Sequence, residues 1–389
     1  MPDLDPDRPA PGTSASISGV PLVDHHCHGV VPGDLDRRSF EGFITEGFAP
    51  APGGTSHFDS PVGLAIRRWC APVLELPPLV SPDDYLTRRA ELGAEEVHRR
   101  FLRSAGLEAL VVETGHLAAD LLGSAAMGLL AATPAHEVVR LETVAEAVAR
   151  EGVDAAAYPD AFARALEEAA AGAVGLKTVI AYRGGFGLGP LRPSTRKVVD
   201  AAGRWLSKHE APRLEDPVLL RHGIWTGAEL ARDRGLPLQI HAGYGDPDLT
   251  MHLVNPSLLT DLVRALGPLK VDVIFLHCYP YHREAAYLAA VFPHVYFDVG
   301  LALHYTGPGA AQVLTEAMEL APFTKQLYSS DGFALAEFHY LGALLFRRSL
   351  TAVLDNWVRR EECSAADADR IAELLGRTNA HRIYPIGDG

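Results

Sequence analysis

Along the chain, short apolar runs alternate with longer stretches in which apolar residues recur every three or four positions. The runs fall at Val20–Val23, Leu107–Glu113, Glu137–Glu142, Val174–Tyr182, Pro237–His241, Val271–His277, Val295–Val299 and Lys325–Ser330. Their lengths and β-branched content predict buried strands. The stretches between them carry helical spacing, among them Thr143–Arg150, Pro159–Ala171, Pro217–Arg234, Pro256–Leu266, Arg283–Val291 and Ala310–Leu320. Such β/α alternation implies a parallel sheet covered by helices, and eight units imply closure into a (β/α)8 TIM barrel of the α/β class. A doubly wound open sheet competes, but no G-x-G-x-x-G turn follows the first strand. The GGFGLG after Tyr182-Arg183 opens no clear helix and reads as a loop.

One long section breaks the pattern. Residues 31–105 hold no clear strand; proline, glycine and aromatic residues cluster in GFAPAPGGTSHFD, and helix-like spacing resumes at Pro61–Trp69 and Pro82–Ala105. A helical insertion or cap after the first strand is expected there, a place where such folds build pocket walls. Residues 1–19 are rich in Pro, Asp and Ser and lack both a basic n-region and an apolar h-region, so they read as a disordered N-terminal tail, not a signal peptide. Residues 20–389 are then expected to form one barrel domain.

Charge narrows the partners. The 35 Lys+Arg against 49 Asp+Glu give a formal charge of −14, which repels a nucleic acid overall. Cys27, Cys70, Cys278 and Cys363 are too few and scattered for a disulfide framework and fit a reducing cytoplasm. No run of 18 apolar residues suggests a membrane span. A small-molecule substrate is the expected partner.

The chemistry gathers at the ends of the predicted strands, where a barrel of this kind places its site. The first strand runs into Asp24-His25-His26-Cys27-His28, and residues two apart on a strand share a face, so His26 and His28 can reach one metal ion. Lys177 lies in the fourth strand, His241 ends the fifth, His277 the sixth, and Asp331 follows the eighth. Four histidines and an aspartate at matching ends of separate strands converge on the barrel axis. Lys177, costly to bury as an ammonium, should be paired, deprotonated or modified.

These residues, with the motifs GLKTVIAYRGG, QIHAGYGDPDL, FLHCYPYHREAAYLA, YFDVG, YSSDG and the closing RTNAHRIY, resemble the metal-dependent amidohydrolase superfamily. More narrowly they are similar to its amidohydrolase-2 group and to the branch that forms the N-terminal part of FluG-type proteins. The resemblance runs from about residue 20 to residue 384 and is weak over 31–105. It implies a divalent metal, most simply zinc, held by His26, His28, Lys177, His241, His277 and Asp331, with Asp331 and His277 as the catalytic groups. Some relatives carboxylate a strand-four lysine into a bridge between two ions, which here would make a binuclear centre with His26, His28 and Asp331 on one ion and His241 and His277 on the other. If Lys177 stays a plain cation, one ion is implied.

The implied reaction is hydrolysis of an amide C–N bond by metal-activated water, with γ-glutamyl amides as a substrate class suggested by FluG-like relatives. A mononuclear zinc decarboxylase of aromatic acids is the alternative from the same group, and an inactive barrel acting as a binding subunit is the alternative outside enzymes. Arg183, beside a glycine-rich loop, suits a substrate carboxylate. Tyr182, Glu113, Tyr244, Asp246 and Glu337 are further substrate-binding candidates, each able to serve as a helix cap or ligand-orienting partner instead. The helical exterior is compatible with a homodimer.

Overall fold

The computed structural model describes residues 17–208 and 213–387. Seven parallel strands form one sheet in chain order: β1 (Leu22–Cys27), β2 (Leu107–Glu113), β3 (Ala135–Arg140), β4 (Gly175–Thr178), β5 (Leu238–Ala242), β6 (Val273–His277) and β7 (Val295–Phe297). Alternate residues divide the sheet into two faces. Leu22, Leu110, Val112, Leu176, Ile240 and Phe275 join the large core under the surrounding helices, whereas Val23, Val111, Val138, Ile274 and Leu276 meet Ala380, Ile383 and Tyr384 in a smaller cluster. The closing RTNAHRIY motif therefore packs against the sheet face turned away from most of the helices.

The expected eighth strand is not a strand. A 3-10 turn takes up Phe323–Lys325, Asp331 takes φ 47, and the residues between pair with β7 only through an isolated parallel bridge of Gln326 to Phe297. Its backbone nevertheless touches both edges of the sheet. Leu327 N–H donates to Phe297 O at 3.0 Å, His25 N–H to Tyr328 O at 3.2 Å, and His28 N–H to Gly332 O at 2.7 Å.

Elsewhere the pattern holds with local shifts. The third strand begins and ends two residues earlier than expected, and Glu142 sits in the helix Leu141–Arg150. The fourth stops at Thr178, because Ile180–Arg183 forms a 3-10 turn. The helical run expected over Pro82–Ala105 is two helices, Pro82–Leu92 and Ala94–Ser104, parted at Gly93 (φ 76), a backbone region where glycine ends helices at no steric cost. Residues 31–105 are otherwise helices and turns, as expected. The N-terminal tail lies outside the described residues as far as residue 16, and Ile17 is already buried in the core. Among the described residues no helix is long and apolar enough to cross a membrane.

Candidate metal centre

The first strand delivers its histidines through an irregularity. Asp24 pairs with Leu110 and Cys27 with Val112, so three steps on β1 match two on β2, a bulge that re-aims side chains. His25 consequently turns to Tyr384 Oη (3.0 Å) and Asp298 Oδ2 (3.0 Å), while His26 faces Asp331. His26 Nε2 lies 3.2 Å and His28 Nε2 3.4 Å from Asp331 Oδ1; His277 Nε2 lies 3.4 Å from Asp331 Oδ2. His26, His277 and Asp331 form a fully enclosed group whose donor atoms all lie within 4.8 Å of one another. The grouping draws donors from both of the ligand sets that the resemblance implies.

The remaining expected ligands surround it. Lys177 Nζ is 2.9 Å from His26 Nε2. His241 stacks toward His277 with ring centroids 4.6 Å apart, and its Nε2 faces the Tyr244 carbonyl at 3.1 Å, an arrangement that leaves Nδ1 with the free electron pair. His28 Nδ1 faces Glu113 O at 3.2 Å in the same manner, so its Nε2 pair points at the centre.

Two backbone positions here are strained. His277 (φ 68) and Asp331 (φ 47) both occupy the left-handed region as non-glycine residues, a cost of order ~1–3 kcal/mol each that clusters at functional sites. Asp298 stabilises the first by accepting the His277 N–H at 2.9 Å and that of Gly300 at 2.8 Å. Gly300 is required by contact: a Cβ there would sit 2.0 Å from Ser329 Oγ.

Burial sets the protonation of the cluster. It holds the imidazoles of His26 and His241 well below the ordinary histidine value, with Lys177 and His277 respectively adding repulsion. His277 is lowered by burial against the pull of Asp331. Burial alone would raise Asp331, but His277 and the nearby imidazoles of His26 and His28 keep its carboxyl far down. Burial likewise brings Lys177 down to about 8 against the attraction of Glu113.

The donor set fits a divalent cation. Both ring nitrogens of His277, His26 Nδ1 and Asp331 Oδ1 are buried without a hydrogen-bond partner, and neutral imidazoles beside an ionised carboxylate are the chemistry of zinc, iron, manganese or cobalt sites.

Over the cluster opens a cavity of about 520 Å³ lined by His28, Lys177, His241, His277 and Asp331 and by Tyr182, Arg183 and Asp246 of the substrate candidates. Three other candidates do not line it. Glu113 is buried and paired with Arg140, its Oε1 accepting Arg140 Nε–H at 3.1 Å, which puts it behind His28. Glu337 accepts from Arg89 Nε (2.9 Å) and Tyr85 Oη (3.0 Å) in a buried pair. Tyr244 packs on Tyr305, ring centroids 5.5 Å apart. Residues that sequence reasoning left unassigned also line the wall: Glu46 and Phe43 from the section after β1, Arg140 at the end of β3, and His304 and Tyr305 from the helix Gly300–Thr306. Asp298 had one signal, its place in the YFDVG motif; Glu46 had none, lying in an aperiodic loop.

The sequence model of the family described as Amidohydrolase matches residues 118–386, more than half of the chain. The chain belongs to the amidohydrolase family. This amidohydrolase-family chain is 30% identical over 318 residues to Protein fluG of Emericella nidulans, covering 79% of its own length and 35% of that relative. It thus spans about a third of the curated relative's length. Among solved structures, a "putative metal-dependent hydrolase" of Lactobacillus casei superposes with TM-score 0.83 at 29% identity, over 95% of this chain and 96% of that one. A glucuronate isomerase of Caulobacter crescentus (TM-score 0.64, 15% identity, 97% and 94% covered) shares the fold alone.

Proposed function

We propose that this amidohydrolase-family protein is a metal-dependent hydrolase that cleaves an amide C–N bond, on a barrel closed by residues 326–332. The observation that carries the reading is the enclosed His26–His277–Asp331 group at the floor of a cavity large enough for a small molecule. A divalent ion bound there supplies Lewis acidity and lowers the pKa of water toward about 7. Asp331 then accepts the proton of the attacking water and passes it to the departing nitrogen. Neutral His277, held by Asp298, meets the carbonyl side of the substrate. Lys177 beside His26 would serve as a further metal ligand if its neutral amine takes up carbon dioxide and loses a proton to become a carbamate, and would otherwise remain a cation beside the site. The γ-glutamyl amides proposed as substrates would place a carboxylate near Arg183, whose Nη2 already contacts Glu146 Oε1 at 3.2 Å.

The compact three-donor group favours keeping a second reading, a one-ion decarboxylase of aromatic acids. Metal per chain, measured by elemental analysis on protein purified without chelator and on Lys177→Ala, separates them. Nearly two ions falling to one or fewer in the variant supports the bridged hydrolase. One ion, indifferent to Lys177, sends the assay to aromatic carboxylic acids.

A further inference from the structure

The charges on the cavity wall do not balance. Its four cationic side chains are already engaged: Arg140 with Glu113, Arg183 with Glu146, Lys177 with His26, and Arg213 with Asp248 Oδ2 and the Tyr182 carbonyl, both at 2.6 Å. Glu46 has no such counter-ion. Its carboxyl receives a hydrogen bond from Tyr305 and otherwise faces Asp331 and Asp246, both repulsive. Burial, with those two carboxylates working against the Tyr305 hydrogen bond, pushes Glu46 up to about 7. Asp246 is raised as well, by burial, which together with repulsion from the Asp248 carboxylate outweighs the Asp248 main-chain N–H and the attraction of Arg213.

An independent feature of the same wall also lacks a partner. His304 is fully buried, stacked on Phe338 with centroids 4.5 Å apart, and neither ring nitrogen has a hydrogen-bond partner in the protein. Burial keeps it neutral, so it offers one donor and one acceptor to whatever enters. A buried polar group of this kind is normally satisfied, and His304 lines the cavity that a ligand would enter. Phe43, Phe333 and the ring of Tyr305, which lies against His304 with centroids 5.0 Å apart, add apolar and π surface to the same cavity.

We propose that Glu46 and Asp246 form a receptor for a positively charged nitrogen of the substrate, so that the molecule cleaved or bound here carries an ammonium on an alkyl arm. This deepens the hydrolase reading and rests on it only for the choice of amides as probes. The section between β1 and β2 acquires a role, since it delivers Glu46 to the mouth.

The test is equilibrium titration of the metal-loaded full chain with two acetamides, one whose N-alkyl arm ends in an amine and one with a methyl group in its place. The amine should bind roughly tenfold more tightly, the scale of a charge-assisted hydrogen bond with a π contact. Glu46→Gln with Asp246→Asn should erase the difference, and Glu46→Lys should turn the preference toward an arm ending in a carboxylate. Equal binding of the two amides by the wild-type protein overturns the proposal, and so does a preference that survives the double substitution. The wild-type comparison needs no variant, so a misfolded substitution leaves the test intact. Amine release is followed separately: preferential binding without cleavage removes the hydrolase reading and leaves the ammonium site standing.

Discussion

Asp298 supports His277 from behind, its Oδ1 accepting the His277 main-chain N–H at 2.9 Å while its Oδ2 meets His25 Nε2 at 3.0 Å. One buried carboxylate thereby holds a strained strand end and a core histidine together. Replacing it by alanine removes the acceptor of an N–H fixed at positive φ and leaves His25 Nε2 unpaired. Asp298→Ala should lose about 3–5 kcal/mol of stability, the usual cost of breaking a buried pair, measured by denaturant unfolding, and should bind less metal.

Asp331→Asn keeps the shape of the side chain and loses its basicity. If Asp331 is the proton carrier, kcat should fall about 100- to 10,000-fold while His26 and His277 retain bound metal. Full turnover by this variant sinks the mechanism.

Glu337 offers a control of the opposite kind. It lies six residues beyond Asp331 in the chain, yet from the first turn of the helix Ala336–Arg359 its carboxylate is committed to Arg89 and Tyr85. Arg89→Met should therefore destabilise the fold by about 3–5 kcal/mol and leave the Michaelis constant unchanged in the folded fraction. A changed Michaelis constant at unchanged stability would return Glu337 to the substrate site.

Acid should weaken the fold through a histidine far from the metal donors. Burial lowers His222 to about 4, against about 6.5 in an unfolded chain. Between those values the unfolded state binds more protons, so stability rises with pH there and is lost as pH falls from about 6.5 toward about 4. His222→Phe should flatten that part of the curve of unfolding free energy against pH, and an unaltered slope would show that His222 does not contribute to it.

Much of this architecture is legible in the chain. β2 and the helix Pro217–Arg234 begin and end at the expected residues; the helix is marked by Asp216 as cap, Pro217 in the first turn and Gly235 in the left-handed region after it. His26, His28 and Asp331 are legible because strand ends converge. What sequence spacing does not carry is which partner a charged side chain meets. Glu113 and Glu337 look like site residues until Arg140 and Arg89 arrive from distant parts of the chain. Glu46 and His304 look like nothing, because a loop and a short helix have no period that points into a cavity. The eighth run is legible as an apolar segment that meets the sheet, but its pairing with β7 stops at an isolated bridge of Gln326 to Phe297, and the left-handed turn of Asp331 after it leaves no periodic signal.

The hydrogen bonds joining His25 to Tyr328 and His28 to Gly332 connect segments that lie far apart in the chain. During synthesis the histidines of β1 emerge before their partners and wait, with their apolar strand unpaired on one side, until residues 326–332 have followed. Contacts so distant in sequence form late and slowly, and exposed strand edges invite aggregation in the interval. Metal uptake should consequently report that residues 326–332 have docked: chains cut before them and stalled folding intermediates would possess His26 and His28 and still lack the carboxylate that completes the group.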